Sequence, residues 1–180
     1  VQTGLGRTGR LFACEHWGVE PDVMCLAKGM ANGIPIGATL AREDVMRSLK
    51  VGEHSSTFGG NPIACAAARA TIDFIVENRL WENAAKVGSR FKRRLGELSA
   101  EFDAIREVRG MGLMLGVELK FDALPVIQGM AKRGVIVLSS GISVVRFLPP
   151  LTFTEELADA VVERMRDCLS EASSYWRGAR

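Results

Sequence analysis

Three parts of the sequence carry side chains that could do chemistry: Lys28, the hydroxyl-rich residues 55–61, and Arg146. Lys28 follows the apolar run 23–26, which is typical of a short buried strand, and it precedes a glycine-rich loop. An amine that leaves such a strand and enters a cleft loses part of its hydration, which makes it a better nucleophile toward an aldehyde. The alternative is a lysine at a strand end that simply reaches solvent.

Residues 55–61, Ser-Ser-Thr-Phe-Gly-Gly-Asn, place hydroxyls and backbone N–H groups directly before Pro62, a favourable first residue for a helix. Free amides and the dipole at a helix N-terminus both attract negative charge, so the run suits a phosphate. The alternative is that Ser and Thr only cap the helix, and the pattern by itself favours that interpretation.

Arg146 lies inside the apolar run 144–150. An arginine in a strand either points to solvent from an edge or holds an anion, and its planar fork matches a carboxylate with two parallel hydrogen bonds. The spacing alone favours neither alternative.

The opening residues 1–9, Val-Gln-Thr-Gly-Leu-Gly-Arg-Thr-Gly, contain G-x-G-x-x-G, a pattern found in dinucleotide-binding turns. The context argues against that function, because almost nothing precedes the glycines and Asp22 comes before the next strand rather than after it. We therefore expect a sharply turning loop. We also expect that an N-terminal portion of the protein lies outside this chain.

The composition excludes several classes of protein. With 180 residues, 47% of them apolar, the chain can bury a sizeable core, and a net charge of +2 gives no reason to expect nucleic acid or a membrane as partner. No stretch reaches about 18 consecutive apolar residues and no signal peptide opens the chain, so a soluble, cytoplasmic protein is expected.

The cysteines and histidines indicate no metal site. None of the four cysteines forms a C-x-x-C pair, and there are only two histidines, His16 and His54. We expect the cysteines to be small buried residues in a reducing compartment. The pattern assigns no role to either histidine.

Hydrophobic periodicity predicts an α/β chain. Strands are expected at residues 23–26, 36–41, 105–108, 113–119, 135–138 and 144–148. Helices are expected at residues 43–49, 62–76, 80–102, 123–133 and 155–172. Thr154 is expected to cap the last helix. The helix at 80–102 is apolar on one side and charged on the other, and we expect it to connect two domains.

Six motifs in this order resemble those of class III, pyridoxal-phosphate-dependent aminotransferases of fold type I, in the acetylornithine and ornithine aminotransferase branch. The resemblance covers nearly the whole chain. The motifs are residues 1–9; Pro-Asp with Leu-Ala-Lys-Gly (21–29); Gly-Ile-Pro-Ile-Gly (33–37); Ser-Thr-Phe-Gly-Gly-Asn-Pro (56–62); Ile-Arg-Glu-Val-Arg-Gly-Met-Gly-Leu (105–113); and Val-Arg-Phe-Leu-Pro (145–149).

The resemblance implies a set of cofactor contacts. Lys28 is similar to the lysine that binds pyridoxal 5'-phosphate covalently and moves protons during catalysis. Thr57, with Ser56, resembles the phosphate ligand that reaches into the neighbouring subunit's site, so the family's functional unit is a homodimer with shared active sites. Gln2 resembles the residue that hydrogen-bonds the cofactor's ring oxygen, and Val1 the residue packed on the ring face.

The resemblance also implies a role for Arg146 and a domain organisation. Arg146 is similar to the arginine that binds the substrate's α-carboxylate. Residues 1–78 correspond to the C-terminal part of the large cofactor-binding domain, and residues 79–180 to the connecting helix and the small C-terminal α/β domain. The family's aspartate partner of the pyridine nitrogen precedes the position of Val1, so we expect residues 1–180 alone to turn over negligibly.

The expected activity is transfer of a terminal amino group from acetylornithine, or from lysine attached to an amino-group carrier protein, to 2-oxoglutarate in arginine or lysine biosynthesis. Two alternatives remain open. One is another class III enzyme acting on ornithine, 4-aminobutyrate or glutamate semialdehyde. The other is a noncatalytic dimerisation or ligand-binding domain derived from the same fold.

Overall fold

A computed structural model describes the backbone of residues 1–177 and the side chains of residues 1–172. The chain forms two compact units, Val1–Trp81 and the residues from Glu82 onward. The resemblance places a domain boundary after Asn78, and that boundary stays a prediction. Within the described residues, no helix is long and apolar enough to cross a membrane.

The first unit is built from short elements and one long helix. A glycine-containing loop leads into a 3-10 helix (Ala13–Trp17), and strand β1 (Val23–Leu26) pairs antiparallel with β2 (Ala38–Ala41). A second 3-10 helix (Lys28–Ala31) lies between these strands. Helices α1 (Glu43–Met46) and α2 (Pro62–Glu77) complete the unit.

The second unit is a four-stranded antiparallel sheet with helices. Its elements are α3 (Leu80–Glu101), which begins just before the division, β3 (Ile105–Met111), β4 (Met114–Leu119), α4 (Leu124–Lys132), β5 (Leu138–Ser140), β6 (Val144–Phe147) and α5 (Glu155–Arg177). The strand order is β3-β4-β6-β5. The predicted α/β class and the order β-β-α-β-β-α are therefore confirmed.

The core of the second unit lies between one face of the sheet and the helices. Alternate residues of β4, Leu115, Val117 and Leu119, are buried, as period-2 alternation requires. From α3, the buried residues include Phe91, which makes an edge-to-face contact with Phe147 at a ring-centroid distance of 5.3 Å. The polar side chains of these strands lie on the opposite face of the sheet.

Most predicted elements match the structure within a few residues. The clearest difference is β5, which begins at Leu138 rather than at Val135. Gly134 takes a φ of +78° at the end of α4, and the Val135 N–H donates to Met130 O at 3.0 Å. The hydrogen bond of Val135 thus belongs to the C-terminal turn of α4. The apolar run pairs with the sheet only after this turn.

The predicted cap of α5 is confirmed. The hydroxyl of Thr154 accepts a hydrogen bond from Leu157 N at 3.3 Å, and this satisfies one of the amides left free at the helix start. A hydrogen bond from the backbone N–H of Glu156, and then one from the Thr154 hydroxyl, keep the pKa of the Glu156 carboxyl below its usual value.

A close backbone contact joins α3 to the β3–β4 hairpin. Met111 pairs with Met114, which leaves Gly112 and Leu113 as a two-residue turn in which Gly112 has a φ of +53°. Gly88 of α3 is buried against this turn, and a Cβ placed on Gly88 would lie 2.1 Å from Gly112 O. The helix can therefore approach the hairpin only because residue 88 has no side chain.

We expect Gly88→Ala to lower the free energy of unfolding by about 3 kcal/mol, because backbone must move to admit the methyl group. Gly96 lies on the same helix with nothing within 4 Å of an added Cβ, so Gly96→Ala is a matched control. It should raise stability by about 0.5–1 kcal/mol through helix propensity. Chemical denaturation followed by circular dichroism measures both; equal effects would contradict the packing argument.

Candidate active site

Lys28 lies directly beyond β1 in an unfavourable backbone conformation. Its φ is +53°, in the left-handed region, and it is the first residue of the 3-10 helix that follows the strand. For a residue with a side chain this conformation costs about 1–2 kcal/mol. Such costs persist where the surrounding structure imposes them, and they concentrate at functional sites.

The side chain of Lys28 is exposed in the described chain. The sequence predicts that the Lys28 amine enters a cleft and loses hydration. The first unit by itself does not bury this amine. The reason is local: only Leu26 of β1 is buried, so the strand is not the buried strand that the apolar run predicts.

Two parts of the first unit pack beside the lysine turn: the opening glycine loop and α2. A Cβ on Gly4 would lie 3.6 Å from Leu26 Cδ2, so the opening glycine loop packs on the strand that leads to Lys28. The 3-10 helix beginning at Lys28 buries Met30 and Ala31 and packs against α2. Since α2 directly follows residues 55–61, its start and the lysine turn belong to one packed body.

The opening loop turns sharply, as expected. Leu5, Gly6 and Gly9 all have positive φ, and Thr8 is buried. His16 Nε2 lies 3.1 Å from both the carbonyl oxygen and the hydroxyl of Thr8. His16, which the sequence left unassigned, therefore holds the loop in shape. His54 is exposed.

The N-cap of α2 is Asn61. Its Oδ1 accepts from Ala64 N at 2.9 Å, and its Nδ2 donates to Phe58 O at 3.0 Å. The sequence pattern favoured Ser and Thr as the capping residues, and this interpretation is wrong. Because Asn61 satisfies the helix start, capping does not account for the hydroxyls that precede it.

Ser55, Ser56 and Thr57 are exposed, and within the described residues none of their hydroxyls makes a hydrogen bond. Gly59 folds back on Ser56, since a Cβ on Gly59 would lie 2.9 Å from Ser56 Cβ. The run thus presents a tight turn with free hydroxyls at the start of a 16-residue helix. That arrangement suits an anion.

Val1 and Gln2 stand at the edge of the first unit. Val1 is 54% exposed and Gln2 is half-buried. Both directly precede the loop that packs on β1. Their expected contacts with a cofactor ring remain predictions.

Arg146 belongs to β6, which lies between β4 and β5. Arg146 is therefore not on an edge strand of the described sheet, and it is half-buried, so the alternatives of a solvent-facing arginine and an anion ligand both stay open. Arg146 is opposite Gly116 on β4 and Leu138 on β5. Its Nε is buried, and within the described residues that atom has no hydrogen-bond partner. Burying a donor without a partner costs free energy, so Nε is a candidate to donate a hydrogen bond to a ligand.

Gly116, opposite Arg146, is a position that the sequence pattern did not single out. It lies in the interior of a strand at ordinary φ, where glycine is unfavourable, and glycine at such positions marks a close approach. A Cβ placed on Gly116 would lie 3.2 Å from Val144 Cγ1, so the absence of a side chain here lets Val144 pack closely on β4. The signal was an isolated glycine inside the alternating run 113–119.

Charged residues surround this position on the same face of the sheet. Arg109, opposite Gly116, contacts Glu118 Oε2 at 2.5 Å and Glu107 Oε2 at 2.8 Å, and Arg106 contacts Glu118 Oε1 at 2.8 Å. Hydrogen bonds from Arg109 and then from Arg106 hold the pKa of the Glu118 carboxyl below its usual value. Glu118 is therefore ionised.

The cysteines differ from expectation. Cys168 is buried, but Cys25 and Cys65 are exposed and Cys14 is half-buried; all four are free thiols. Burial raises the pKa of the Cys168 thiol. Within residues 1–177, no group of three or more His, Cys, Asp or Glu side chains is placed to hold a metal ion.

Comparison with known proteins identifies the class. The family model for class III aminotransferases matches residues 1–169. The chain is 42% identical over 171 residues to the acetylornithine aminotransferase of Methanocaldococcus jannaschii, covering 95% of this chain and 43% of that protein. It is 44% identical over 171 residues to the acetylornithine aminotransferase of Methanothermobacter thermautotrophicus, covering 95% and 44%.

Solved structures of aminotransferases have the same fold as this chain. The acetylornithine aminotransferase of Elizabethkingia anophelis superposes with a TM-score of 0.90 at 35% identity, covering 95% of this chain and 44% of that one. The ornithine aminotransferase of Toxoplasma gondii, crystallised with partial occupancy of pyridoxal phosphate, gives 0.92 at 37% identity, covering 97% and 42%.

This chain belongs to the class III aminotransferases, which are pyridoxal-phosphate-dependent enzymes. The predicted fold type and family are therefore confirmed. The chain spans less than half the length of the curated relatives it matches.

Substitutions in the turn before α2 separate capping from ligand binding. We expect Asn61→Ala to lower the free energy of unfolding by about 1 kcal/mol, because it removes the cap. Thr57→Ala removes only an exposed hydroxyl and should change stability by less than about 0.5 kcal/mol. Thermal or chemical denaturation measures both. A larger loss for Thr57→Ala would mean that this hydroxyl supports the helix.

Proposed function

We propose that the protein containing this chain is a pyridoxal-phosphate-dependent aminotransferase that transfers the terminal amino group of acetylornithine to 2-oxoglutarate. The observation that carries the proposal is Lys28, held in a left-handed conformation where the opening glycine loop and the body of α2 meet. The similarity to several acetylornithine aminotransferases supports the choice of substrate.

The residues present fit the cofactor. Pyridoxal phosphate, when bound, supplies an aldehyde that takes up amines and a ring that withdraws electrons from them. Lys28 supplies the amine that would hold the aldehyde and, once released, would move a proton at its Nζ. Ser56 and Thr57, whose hydroxyls are not needed for capping, would hold the phosphate, with Gln2 and Val1 at the ring.

Arg146 would hold the α-carboxylate of the substrate. Its buried Nε lacks a partner, and an arginine can grip a carboxylate with two parallel hydrogen bonds. Donor and acceptor both carry this group, so one arginine can serve both half-reactions. By fixing one end of the substrate, Arg146 would limit the orientation in which the substrate presents its amine.

We also propose a homodimer with shared sites, in which Thr57 contributes to the neighbouring subunit's phosphate site. Large apolar side chains around this segment are exposed in the isolated chain: Phe58 by 82% and Ile63 by 76%. Exposed apolar surface of this kind is typical of protein interfaces. Phe58 lies next to Thr57, so covering it would bring the hydroxyls against another subunit.

The two compact units would correspond to parts of the enzyme's two domains. In this proposal the first unit is the C-terminal part of the large cofactor-binding domain, and the second is the small α/β domain joined to it by α3. The remaining groups of the cofactor site would come from the rest of the protein. We propose a cytoplasmic location, which agrees with four free cysteines.

A second candidate substrate is ornithine, because the ornithine aminotransferase of Toxoplasma gondii matches the fold with a TM-score of 0.92. Lysine bound to an amino-group carrier protein is a third, since it too presents a terminal amine on a chain with a carboxylate. A donor panel with 2-oxoglutarate as acceptor distinguishes them by kcat/KM, and acetylornithine is expected to be used best.

Reductive trapping tests the role of Lys28. The full-length protein, incubated with pyridoxal phosphate and then with borohydride, should carry a stable pyridoxyl group on the peptide that contains Lys28, and Lys28→Ala should carry none. Peptide mapping by mass spectrometry reads this out, with Lys50→Ala as control. Lack of the adduct in the wild-type protein would favour a noncatalytic member of the fold.

Arg146→Lys tests the carboxylate site. A point charge replaces a two-pronged donor, so KM for donor and acceptor should each rise by about tenfold or more. The visible absorption of the bound cofactor should not change, since Arg146 is not among the proposed cofactor contacts. An unchanged KM would remove Arg146 from the substrate site.

A further inference from the structure

Three arginines and two glutamates lie together on the open face of the sheet in the second unit. Pairing of β3, β4 and β6 places Arg109, Gly116 and Arg146 in one row across the strands, and Glu107, Glu118 and Val144 in the next row. Side chains in these rows share one face, because opposed residues in an antiparallel sheet point the same way.

Glu118 is within reach of Arg146. It is opposite Val144, so Arg146 is its diagonal neighbour on β6, about 7–8 Å away between backbones, a separation that long side chains span. Glu118 is also the least exposed member of the paired cluster, with 18% of its side chain accessible. A charged, shielded carboxylate beside an arginine would ordinarily pair with it.

In the described residues Glu118 pairs with two other arginines and not with Arg146, so its carboxylate is held away from the guanidinium. Arg106 contacts Oε1 and Arg109 contacts Oε2. Arg109 also bridges Glu118 to Glu107, which lies opposite it and would otherwise repel it. Among these three positive and two negative charges, Arg146 is the one that has no ion-pair partner within the described residues.

We propose that Arg106 and Arg109 are positioning residues for substrate binding: by holding Glu118, they keep the guanidinium of Arg146 free for the carboxylate of the substrate. This inference rests on the proposed function, in which Arg146 holds that carboxylate. Without the two arginines, Glu118 would swing to Arg146 and compete with the substrate as a carboxylate tethered to the protein.

The test compares three forms of the full-length enzyme: wild type, Arg106→Ala/Arg109→Ala, and the triple variant that adds Glu118→Gln. In the double variant KM for acetylornithine and for 2-oxoglutarate should rise about three- to tenfold while kcat stays within about twofold, since only binding faces competition. In the triple variant both KM values should return to the wild-type range, because the competing charge is gone.

A binding measurement accompanies the kinetics. Glutarate carries the same two carboxylates as 2-oxoglutarate but no keto group, and its Kd by calorimetry should follow the same pattern across the three forms. Arg69→Ala/Arg93→Ala removes two arginines from exposed ion pairs elsewhere, so it controls for net charge, and its KM values should match wild type.

Two results would overturn the proposal: KM values unchanged in the double variant, or raised values that persist in the triple variant. If the double variant is recovered poorly, Arg109→Ala with and without Glu118→Gln gives the same comparison. If the wild-type enzyme transfers no amino group, the proposed function fails, and the glutarate affinities still test whether Glu118 competes for Arg146.

Discussion

The register of β4 against β3 and β6 is the constraint on which the second unit depends. Because side chains alternate with a period of two, a slip of one residue would exchange the two faces of the strand. In the observed register Leu115, Val117 and Leu119 fill the core, while Gly116 and Glu118 face away from it. The same register therefore builds the core and sets the surroundings of Arg146.

The hairpin turn that sets this register depends on glycines. Gly110 and Gly112 take positive φ, and Gly88 of α3 lies directly on the turn. A side chain at residue 88 would push the helix away from the sheet and disturb the pairing of β3 with β4. A contact between two backbones thus supports a polar arrangement several residues further along the strands.

The first unit has fewer buried apolar residues than the second, and it contains a residue in a strained conformation. β1 and β2 are short and mostly exposed, and the well-packed part is the 3-10 helix against α2. This packing offsets the cost of the left-handed conformation at Lys28, because Met30 and Ala31 are buried two and three residues beyond it. This packing therefore fixes the backbone at Lys28, where the chain passes from β1 into the 3-10 helix.

Local patterns predict much of this protein. The cap at Thr154, the apolar stripe of α3 and the start of α2 at Pro62 follow from rules that involve only neighbours in sequence. The choice of Asn61 over the preceding hydroxyls did not follow, because several residues in that run can cap and only the turn geometry selects one.

What the sequence alone determined is the family, the element types and the residues with chemical potential, since these depend on residue identity and spacing along the chain. What only the tertiary structure decided is which groups are already paired. Arg106, Arg109 and Arg146 look alike as sequence, but strand pairing gives two of them a shared carboxylate and leaves the third without one. The reason is physical: ion pairs form across strands, between residues whose separation along the chain carries no information about their distance in space.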